Sequence, residues 1–319
     1  MNIKQLISES IDIPLSMIDN AISLARTHVK RFKLKKKNGK FRIIHQPSKK
    51  LKTIQYWLIY NIFKNMPIHA AATAYRNKTS ILDNAERHKE NKYFLKIDFQ
   101  DFFHSLTFND FLPFIDSWKS KRTDIVIDDE LKEIIRKSCF YINDKLAIGY
   151  PSSPIISNII MFDLDEKIQS IISDKKYGNV TYTRYSDDII ISTDKAGVCK
   201  EIYTEISTLI KSTNTPCLSI NVTKTKFSSS SGGSSTVTGL RICHDQHITI
   251  HRKQKDHIRL LLSLYTKGIL NEKDKNSLIG HLAYCHHVDP TFYSKLSKKY
   301  FKEIAAIRSY HIKTNALGS

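Results

Sequence analysis

Three aspartates stand where their spacing could support metal-dependent chemistry. Asp187 and Asp188 lie side by side in YTRYSDDIIIS (residues 182–192), and Asp98 directly follows the apolar run KYFLKI. Taken alone, the adjacent pair is typical of a tight turn, in which Asp is locally favourable. With Asp98, acids at two strand ends from distant parts of the chain can converge on one sheet edge. Like charges there repel each other unless a cation bridges them.

Phosphoryl transfer is the chemistry that such a group of carboxylates can perform. Carboxylate oxygens are hard ligands suited to Mg²⁺. Two such ions can hold an attacking hydroxyl, a phosphoryl group and the leaving oxygen in line. We therefore expect two Mg²⁺ ions as cofactors, in an enzyme that acts on nucleic acid or nucleotides. From the residues alone, a polymerase and a nuclease both remain open.

The charge of the chain indicates the same kind of partner. The 319 residues include 50 Lys or Arg against 31 Asp or Glu, a formal net charge of +19. Such an excess is typical of proteins that bind a polyanion, most often nucleic acid or an anionic membrane. No apolar run approaches the roughly 20 residues of a membrane span. The five cysteines are scattered and odd in number, which favours a reducing, cytoplasmic location.

The basic residues are concentrated near the N-terminus. Between Ala21 and Leu82 there are 15 Lys or Arg and no Asp or Glu. The densest part, residues 30–52, contains Asn38-Gly39, a strong hairpin-turn signal, so we predict a basic β-hairpin with its tip near Asn38. A run of charge can also be a solvated surface. A basic hairpin tip that has no acids to neutralise it is better explained by contact with phosphates.

The order of the remaining elements favours an α+β fold over a doubly wound one. Helical spacing is clear at 3–30 and 51–66, and a basic hairpin separates the two segments. The further predictions are a helix or turn at 81–88, a strand at 92–97, helices within 110–143, a loop at 147–154, one long helix at 155–172, a hairpin at 182–192, a helix at 199–212, a strand at 218–228, a flexible loop at 228–235, a hairpin formed by 236–242 and 247–252, and helices from Lys253 onward.

Four segments, taken in order, resemble the motifs of reverse transcriptases. They are FRIIHQPS (41–48, the fingers motif), KIDFQDFF (96–103, the first catalytic motif), IGYPSSPIISN (148–158, the Gly-x-Pro-x-Ser-Pro segment) and YSDD (185–188, the Tyr-x-Asp-Asp motif). Each is weak alone, whereas all four in order, within about residues 40–245, are highly specific. The resemblance implies a right-hand polymerase with an antiparallel palm sheet flanked by helices and a helical thumb.

The resemblance also implies how the chain is divided. It places the N-terminal helices and fingers at 1–91 and the first part of the palm at 92–112. The second part of the fingers follows at 113–155 and the second part of the palm at 156–240. An RNA-binding thumb would then occupy 241–319.

Residue roles follow from the positions that match each motif. Asp98, Asp187 and Asp188 would be the catalytic residues that hold two Mg²⁺, with the backbone carbonyl of Phe99 as a further metal ligand. Phe103, five residues after Asp98, matches the steric gate that excludes a ribose 2′-hydroxyl. The further nucleotide-binding positions are Lys40, Arg42, Pro151, Ser152, Ser153 and Lys224. Each basic residue among them can also be a simple contact to the template backbone.

The sequence departs from the family pattern at two positions. Ile148 stands where many relatives have Gln before the Gly, so nucleotide positioning would depend on the backbone and on Pro151, Ser152 and Ser153. Ser186 stands where Ala is common between the Tyr and the Asp pair. Because both residues are small, we expect little effect from this difference.

Two shorter segments resemble retron reverse transcriptases in particular. NAERH (84–88) is similar to their Asn-Ala-x-x-His element, and VTG (237–239) is similar to their Val-Thr-Gly signature. His88 can equally be a buried structural histidine. The RNA-binding residues implied by the resemblance, together with the basic start of the C-terminal helices, are Asn84, His88, Val237, Thr238, Gly239, Arg252 and Lys253.

A retron enzyme would copy part of its cognate structured non-coding RNA, of msr-msd type, into DNA from dNTPs. The resemblance implies priming from the 2′-hydroxyl of a guanosine, which gives branched RNA-linked single-stranded DNA (msDNA). It also implies anti-phage defence together with an effector protein encoded nearby. Two alternatives are a related defence or abortive-infection reverse transcriptase that makes untemplated or protein-primed DNA, and an RNA-binding scaffold in which catalysis is dispensable.

Overall fold

The computed structural model describes residues 2–36, 39–118 and 125–316, with side chains as far as Ser309. Its helices are α1 (Ile3–Ile11), α2 (Leu15–Ser23), α3 (Lys49–Asn61), α4 (Ile81–His88), α5 (Phe102–Ser105), α6 (Phe108–Ser117), α7 (Asp129–Cys139), α8 (Ser153–Ile160), α9 (Phe162–Ile172), α10 (Val198–Ser212), α11 (Arg252–Thr266), α12 (Glu272–Val288), α13 (Pro290–Lys299) and α14 (Phe301–Ala316). Its strands are β1 (Val29–Lys35), β2 (Phe41–Pro47), β3 (Tyr93–Asp98), β4 (Val180–Tyr185), β5 (Asp188–Thr193), β6 (Lys226–Ser229), β7 (Ser234–Val237), β8 (Leu240–Cys243) and β9 (Ile248–Thr249).

The chain forms two compact units. The first unit comprises Met1–Lys78 and Leu95–Phe227, and the second comprises Thr79–Phe94 and Ser228–Ser319. The chain passes from one unit to the other within β3 and again within β6. None of the described helices combines the length and the apolar character that a bilayer span needs.

A four-stranded sheet of order β4-β5-β3-β6 forms the core around which the first unit is built. Strands β4 and β5 are antiparallel, in register from Val180↔Thr193 to Tyr185↔Asp188. The isoleucines 189, 190 and 191 are all buried. Since successive strand side chains point to opposite faces, both faces of β5 must be covered. Helix α9 packs against β4 and α10 packs against β5, so the hairpin is fixed firmly beneath its turn.

The basic hairpin predicted from the sequence is present as β1 and β2. The two strands are antiparallel, in register from Val29↔Pro47 to Lys35↔Phe41. Its predicted tip at Asn38 lies outside the described residues. After Pro47, the Ser48 hydroxyl accepts a hydrogen bond from the Leu51 N–H at 3.3 Å and starts α3, as expected for an N-cap serine.

The second unit combines α4, a small sheet and the four C-terminal helices. A capping box between Ser80 and Asp83 starts α4, and this helix packs against the antiparallel sheet β7-β8-β9. Helices α11 to α14 pack on one another. Within this unit, the buried carboxylate of Asp289 links α11 and α13. It accepts hydrogen bonds from the Phe292 N–H on α13 at 2.9 Å and from the Lys255 ammonium on α11 at 2.8 Å.

The prediction of one long helix at 155–172 is wrong, because Met161 separates α8 from α9. A straight helix would separate residues seven apart by roughly 10 Å along its axis. The break allows Asn158 on α8 and Asp165 on α9 to bond to the same guanidinium, that of Arg184, at 3.1 and 2.7 Å.

The strand boundaries predicted between 218 and 252 are also wrong. A turn at Asn221, whose carbonyl accepts from the Lys224 and Thr225 N–H groups, leaves only Lys226–Ser229 as strand β6. The serine-rich segment 228–235 is not simply a loop, since its two ends belong to β6 and β7. Segment 236–242 folds back on itself, because Thr238 and Gly239 have positive φ angles of 46° and 85° and form a turn between β7 and β8.

Candidate active site

The three predicted catalytic aspartates approach one another at the ends of different elements. Asp98 ends β3 and Asp188 begins β5. The pairing of Tyr185 with Asp188 leaves Ser186 and Asp187 as the two turn residues. The sequence had predicted both acids in the turn, but the turn holds only Asp187, and Asp188 belongs to β5. The Phe99 N–H donates to the Asp187 carbonyl at 3.1 Å and ties the chain after β3 to this turn.

Two lysines neutralise these carboxylates. The Lys224 ammonium lies 2.9 and 3.0 Å from the two oxygens of Asp98, and the Lys96 ammonium lies 2.6 Å from Asp188 Oδ2. Burial raises the pKa of Asp188; the Lys96 ammonium opposes this shift, whereas the nearby Asp187 and Asp98 charges add to it. Across the described residues, no three His, Cys, Asp or Glu side chains are arranged to share a metal ion as they stand.

A cavity of about 580 Å³ opens beside the carboxylates, within the usual size range of small-ligand sites. Of the predicted site residues, it brings together Asp187, Asp188, Phe99, Phe103, Arg42 and Lys224. The remaining lining residues are Lys36, Phe41, Ile43, Tyr75, Asp101, Phe102, His104, Ile148, Tyr185 and Ser186. Acidic, basic and aromatic side chains therefore line the same cavity.

A run of aromatic rings positions Phe103 at this cavity. Phe99 stacks on Phe102 with ring centroids 5.9 Å apart, and Phe102 meets the Phe103 ring edge-on at 5.4 Å. Phe102 is 4% exposed and anchors the short helix α5 in the core. Phe103 is thereby left as a cavity wall next to the carboxylates.

The other predicted nucleotide-binding residues do not line this cavity. Lys40 and Pro151 are absent from its walls, and Ser152 is fully buried just before α8. Ile148 lines the cavity instead, and its carbonyl accepts a hydrogen bond from the His45 N–H at 2.8 Å. This loop thus supports β2, the strand that carries Arg42. A nucleotide contact by Lys40, Pro151 or Ser152 stays a prediction.

The residues predicted to bind RNA differ in their accessibility. Asn84, His88 and Val237 are fully buried in the second unit, and burial lowers the pKa of His88 to about 3, which keeps its ring neutral. This burial favours the structural alternative that the sequence left open for His88. The Thr238 hydroxyl donates to the Ile81 carbonyl at 3.0 Å, and Gly239 completes the β7–β8 turn.

Arg252 and Lys253 are accessible at the start of α11. The Arg252 side chain is 89% exposed, and Lys253 is exposed as well. Both can therefore reach a phosphate without rearrangement of the second unit. Contact with RNA stays a prediction for this whole set of residues.

Sequence reasoning missed three residues that support the site. Lys96 had a signal, because it lies two residues before Asp98 on β3 and so faces the same side of the strand. Arg184 is fully buried on β4 and bonds to the buried Asp165 on α9. The Tyr75 hydroxyl meets Ser186 at 3.1 Å. For Arg184 and Tyr75 the partners are distant in sequence, so local patterns give no signal.

Comparison with known proteins matches this geometry to a family. Residues 34–263 match the family described as "Reverse transcriptase (RNA-dependent DNA polymerase)". The chain is 45% identical over 287 residues to the Retron Ec73 reverse transcriptase of Escherichia coli, covering 89% of this chain and 90% of that protein. It is 33% identical over 293 residues to the Retron Ec83 reverse transcriptase of the same organism, covering 89% and 91%.

Solved structures show the same fold at low sequence identity. Apo telomerase from Candida tropicalis superposes with a TM-score of 0.52 at 13% identity over 89% of this chain. The chain spans 61% of the length of that telomerase chain, so the likeness concerns the fold alone. The predicted α+β polymerase fold is confirmed.

The chain belongs to the reverse transcriptase family and, within it, to the retron-type enzymes. It is accordingly an RNA-directed DNA polymerase, which takes RNA as its template. Enzymes of this family generally use divalent metal ions.

Proposed function

We propose that this polymerase copies part of one cognate structured non-coding RNA into branched, RNA-linked single-stranded DNA (msDNA). Synthesis would start from the 2′-hydroxyl of a guanosine in that RNA, and the product would serve anti-phage defence together with an effector protein encoded nearby. The identity to retron reverse transcriptases over nine-tenths of their length supports this proposal. The observation that carries it is the cavity that Asp187, Asp188 and Phe103 line together, with Lys224 on its wall bonded to Asp98.

In the proposed reaction, a hydroxyl of the primer attacks the α-phosphorus of a dNTP. A new P–O bond forms to that hydroxyl oxygen, the hydroxyl proton passes to solvent, and the bond to pyrophosphate breaks. The Lys224 ammonium, next to Asp98 and on the cavity wall, would face the negative charge that develops on the leaving pyrophosphate. Phe103 would lie under the sugar and exclude a 2′-hydroxyl by its bulk.

The donor set fits a hard divalent cation such as Mg²⁺. The charges of Asp98 and Asp187 both act on Asp188, and a cation would draw these three carboxylates together. The backbone carbonyl of Phe99, whose N–H donates to the Asp187 carbonyl, would add a further ligand. Asp98 and Asp188 would exchange their lysine partners, Lys224 and Lys96, for metal. When bound, two Mg²⁺ would supply the positive charge that activates the attacking hydroxyl and stabilises the leaving oxygen.

We further propose that the two units carry the parts of a right-hand polymerase. Fingers at 1–91 and 113–155 and palm at 92–112 and 156–240 would make up most of the first unit. The proposed thumb, 241–319, would belong to the second unit. Its exposed Arg252 and Lys253 suit contact with RNA phosphates.

Sequencing the nucleic acid that copurifies with the chain tests the proposed product. We expect DNA joined to a single RNA species through a 2′-linked branch, sensitive to a debranching enzyme. DNA attached to a tyrosine of the protein, or unlinked DNA of random sequence, would contradict the proposal. A preparation of the Asp187→Asn variant serves as the control and should yield the RNA without DNA.

A further inference from the structure

Tyr75 stands in the catalytic cavity, although no motif singled it out. Its side chain lines the cavity together with Asp187, Asp188 and Phe103. Its hydroxyl donates a hydrogen bond to Ser186 Oγ at 3.1 Å. Tyr75 remains 48% exposed, so its ring offers a free surface to whatever occupies the cavity.

The backbone around Tyr75 is fixed by strand β4 and helix α8. The Thr73 N–H donates to the Arg184 carbonyl at 2.8 Å, and the Arg184 N–H donates to the Ala71 carbonyl at 2.7 Å. The Asn158 side-chain amide donates to the Ala74 carbonyl at 2.9 Å. The short segment 71–76 is thus attached to the same strand that leads into the catalytic turn.

Tyr75 itself has an unusual backbone conformation. Its φ angle is +62°, in the left-handed region that a bulky side chain rarely adopts. Such strain persists only where the surroundings over-determine the conformation, and it is concentrated at functional sites. Here the surroundings direct the tyrosine ring into the cavity.

The partner of Tyr75 is the residue that precedes Asp187. Ser186 also has a positive φ angle, +60°, and its carbonyl accepts a hydrogen bond from Arg184 Nη1 at 3.2 Å. An alanine at this position would leave the Tyr75 hydroxyl without its partner. Ser186 thus makes a side-chain contact that alanine could not make, and the expectation that its difference from Ala has little effect stays a prediction.

We propose that Tyr75 is a further substrate-positioning residue of the nucleotide site, with its ring as a wall for the incoming dNTP. The bond to Ser186 fixes that wall to the turn that carries Asp187. This inference rests on the proposed function of the carboxylate site. The hydroxyl would hold the ring against the turn, and the ring would contact the dNTP, so two experiments can test these effects separately.

A double-mutant cycle tests the hydroxyl. Steady-state incorporation of dNTP on a primed RNA template is measured for the wild type, Tyr75→Phe, Ser186→Ala and the double variant. Both changes keep the packing volume, so each should lower kcat/KM by about three- to tenfold, the range of one net hydrogen bond. The double variant should be no worse than either single variant. Single effects that multiply in the double variant would overturn the inference.

A larger truncation tests the ring. Tyr75→Ala should raise KM for dNTP at least about fivefold beyond the value for Tyr75→Phe, since a lost contact wall weakens substrate binding. Equal KM values for the two variants would contradict a wall. Melting temperatures of all variants show whether a loss comes from unfolding, and Tyr75→Phe keeps the test valid if Tyr75→Ala folds poorly.

Helix α10 provides a matched control for the cycle. Tyr203 and Ser207 lie one turn apart there, outside the walls of the catalytic cavity, and Ser207 Oγ has no hydrogen-bond partner among the described residues. Tyr203→Phe, Ser207→Ala and their combination should each change kcat/KM less than twofold. Asp187→Asn is assayed in parallel. If Asp187→Asn is inactive and the Tyr75 cycle is multiplicative, only this inference fails, whereas an active Asp187→Asn overturns the carboxylate site as well.

Discussion

At the scale of single residues, the candidate site places acidic side chains in a partly buried environment and pairs them with basic side chains. Asp98 is 5% exposed and would be costly as an isolated anion, and Lys224 offsets that cost. Behind the site, the buried pair of Arg184 and Asp165 is completed by Asn158 and by the Ser186 carbonyl. A buried pair of this kind stabilises little overall, and here its hydrogen bonds connect α8, α9 and the turn that carries Asp187.

Phe103 gives the first prediction. Its ring lines the cavity beside Asp187 and Asp188, so Phe103→Ala opens space for a ribose 2′-hydroxyl. We expect the preference for dNTP over rNTP, measured as the ratio of kcat/KM values, to fall at least about tenfold, as removal of bulk from a tight pocket predicts. Phe103→Tyr keeps the bulk and should retain the preference. An unchanged ratio in Phe103→Ala would contradict the gate.

At the scale of elements, the sequence predicted most helices and the two hairpins of the first unit. A helix or turn was expected at 81–88, and helix α4 occupies those residues, because Ser80 and Asp83 form a local capping box. The predicted boundaries were wrong where contacts between residues distant in sequence determine the local structure. The break at Met161 brings α8 and α9 to Arg184, and the turn at Asn221 shortens the strand expected before β6.

The site itself was predictable only in part, for the same reason. The aspartates are recognisable because each ends or begins an apolar run, and Lys96 follows from strand periodicity. The contact between Tyr75 and Ser186 joins residues 111 positions apart, and the buried pairing of Arg184 with Asp165 also depends on tertiary structure. No local pattern marks either contact.

Gly149 gives a prediction at this scale. Its φ angle is +108°, and an added Cβ would lie 2.5 Å from the His45 carbonyl oxygen and 2.9 Å from Ile44 Cγ2. Gly149→Ala must therefore separate the loop from β2, at a cost of more than about 2 kcal/mol by the usual size of combined strain and overpacking. Thermal or denaturant unfolding measures this loss.

Gly197 provides the control for Gly149. Its φ angle is +88°, but an added Cβ would meet no atom of the described residues within 4 Å. Gly197→Ala should therefore show backbone strain alone, about 1 kcal/mol or slightly more. Equal destabilisation by the two substitutions would contradict a close approach between the Gly149 loop and β2.

At the scale of the whole molecule, the net charge of +19 should govern RNA affinity. Contacts to phosphates release counterions, so log K falls with log salt concentration in proportion to their number. Arg252→Ala together with Lys253→Ala should reduce the magnitude of this slope by about 1.5, or roughly 0.7 to 0.9 per contact. Filter binding of the cognate RNA from 50 to 400 mM salt measures it.

Lys176 offers a control for the salt experiment, because its ammonium is already paired with Glu205 at 2.7 Å. Lys176→Ala should leave the slope unchanged. A slope unaffected by loss of both Arg252 and Lys253 would remove these residues from the RNA contact surface.

DNA synthesis by this chain should depend on Asp98, Asp187 and Asp188 acting together. Primer extension on an RNA template with Asp98→Asn, Asp187→Asn and Asp188→Asn tests it most directly. Asp194→Asn, at an exposed position just after β5, serves as the matched control. We expect a loss of at least about a thousandfold in rate for each of the three, as for other groups that act as one unit, and wild-type synthesis for Asp194→Asn. Synthesis within tenfold of wild type in any of the three would contradict it.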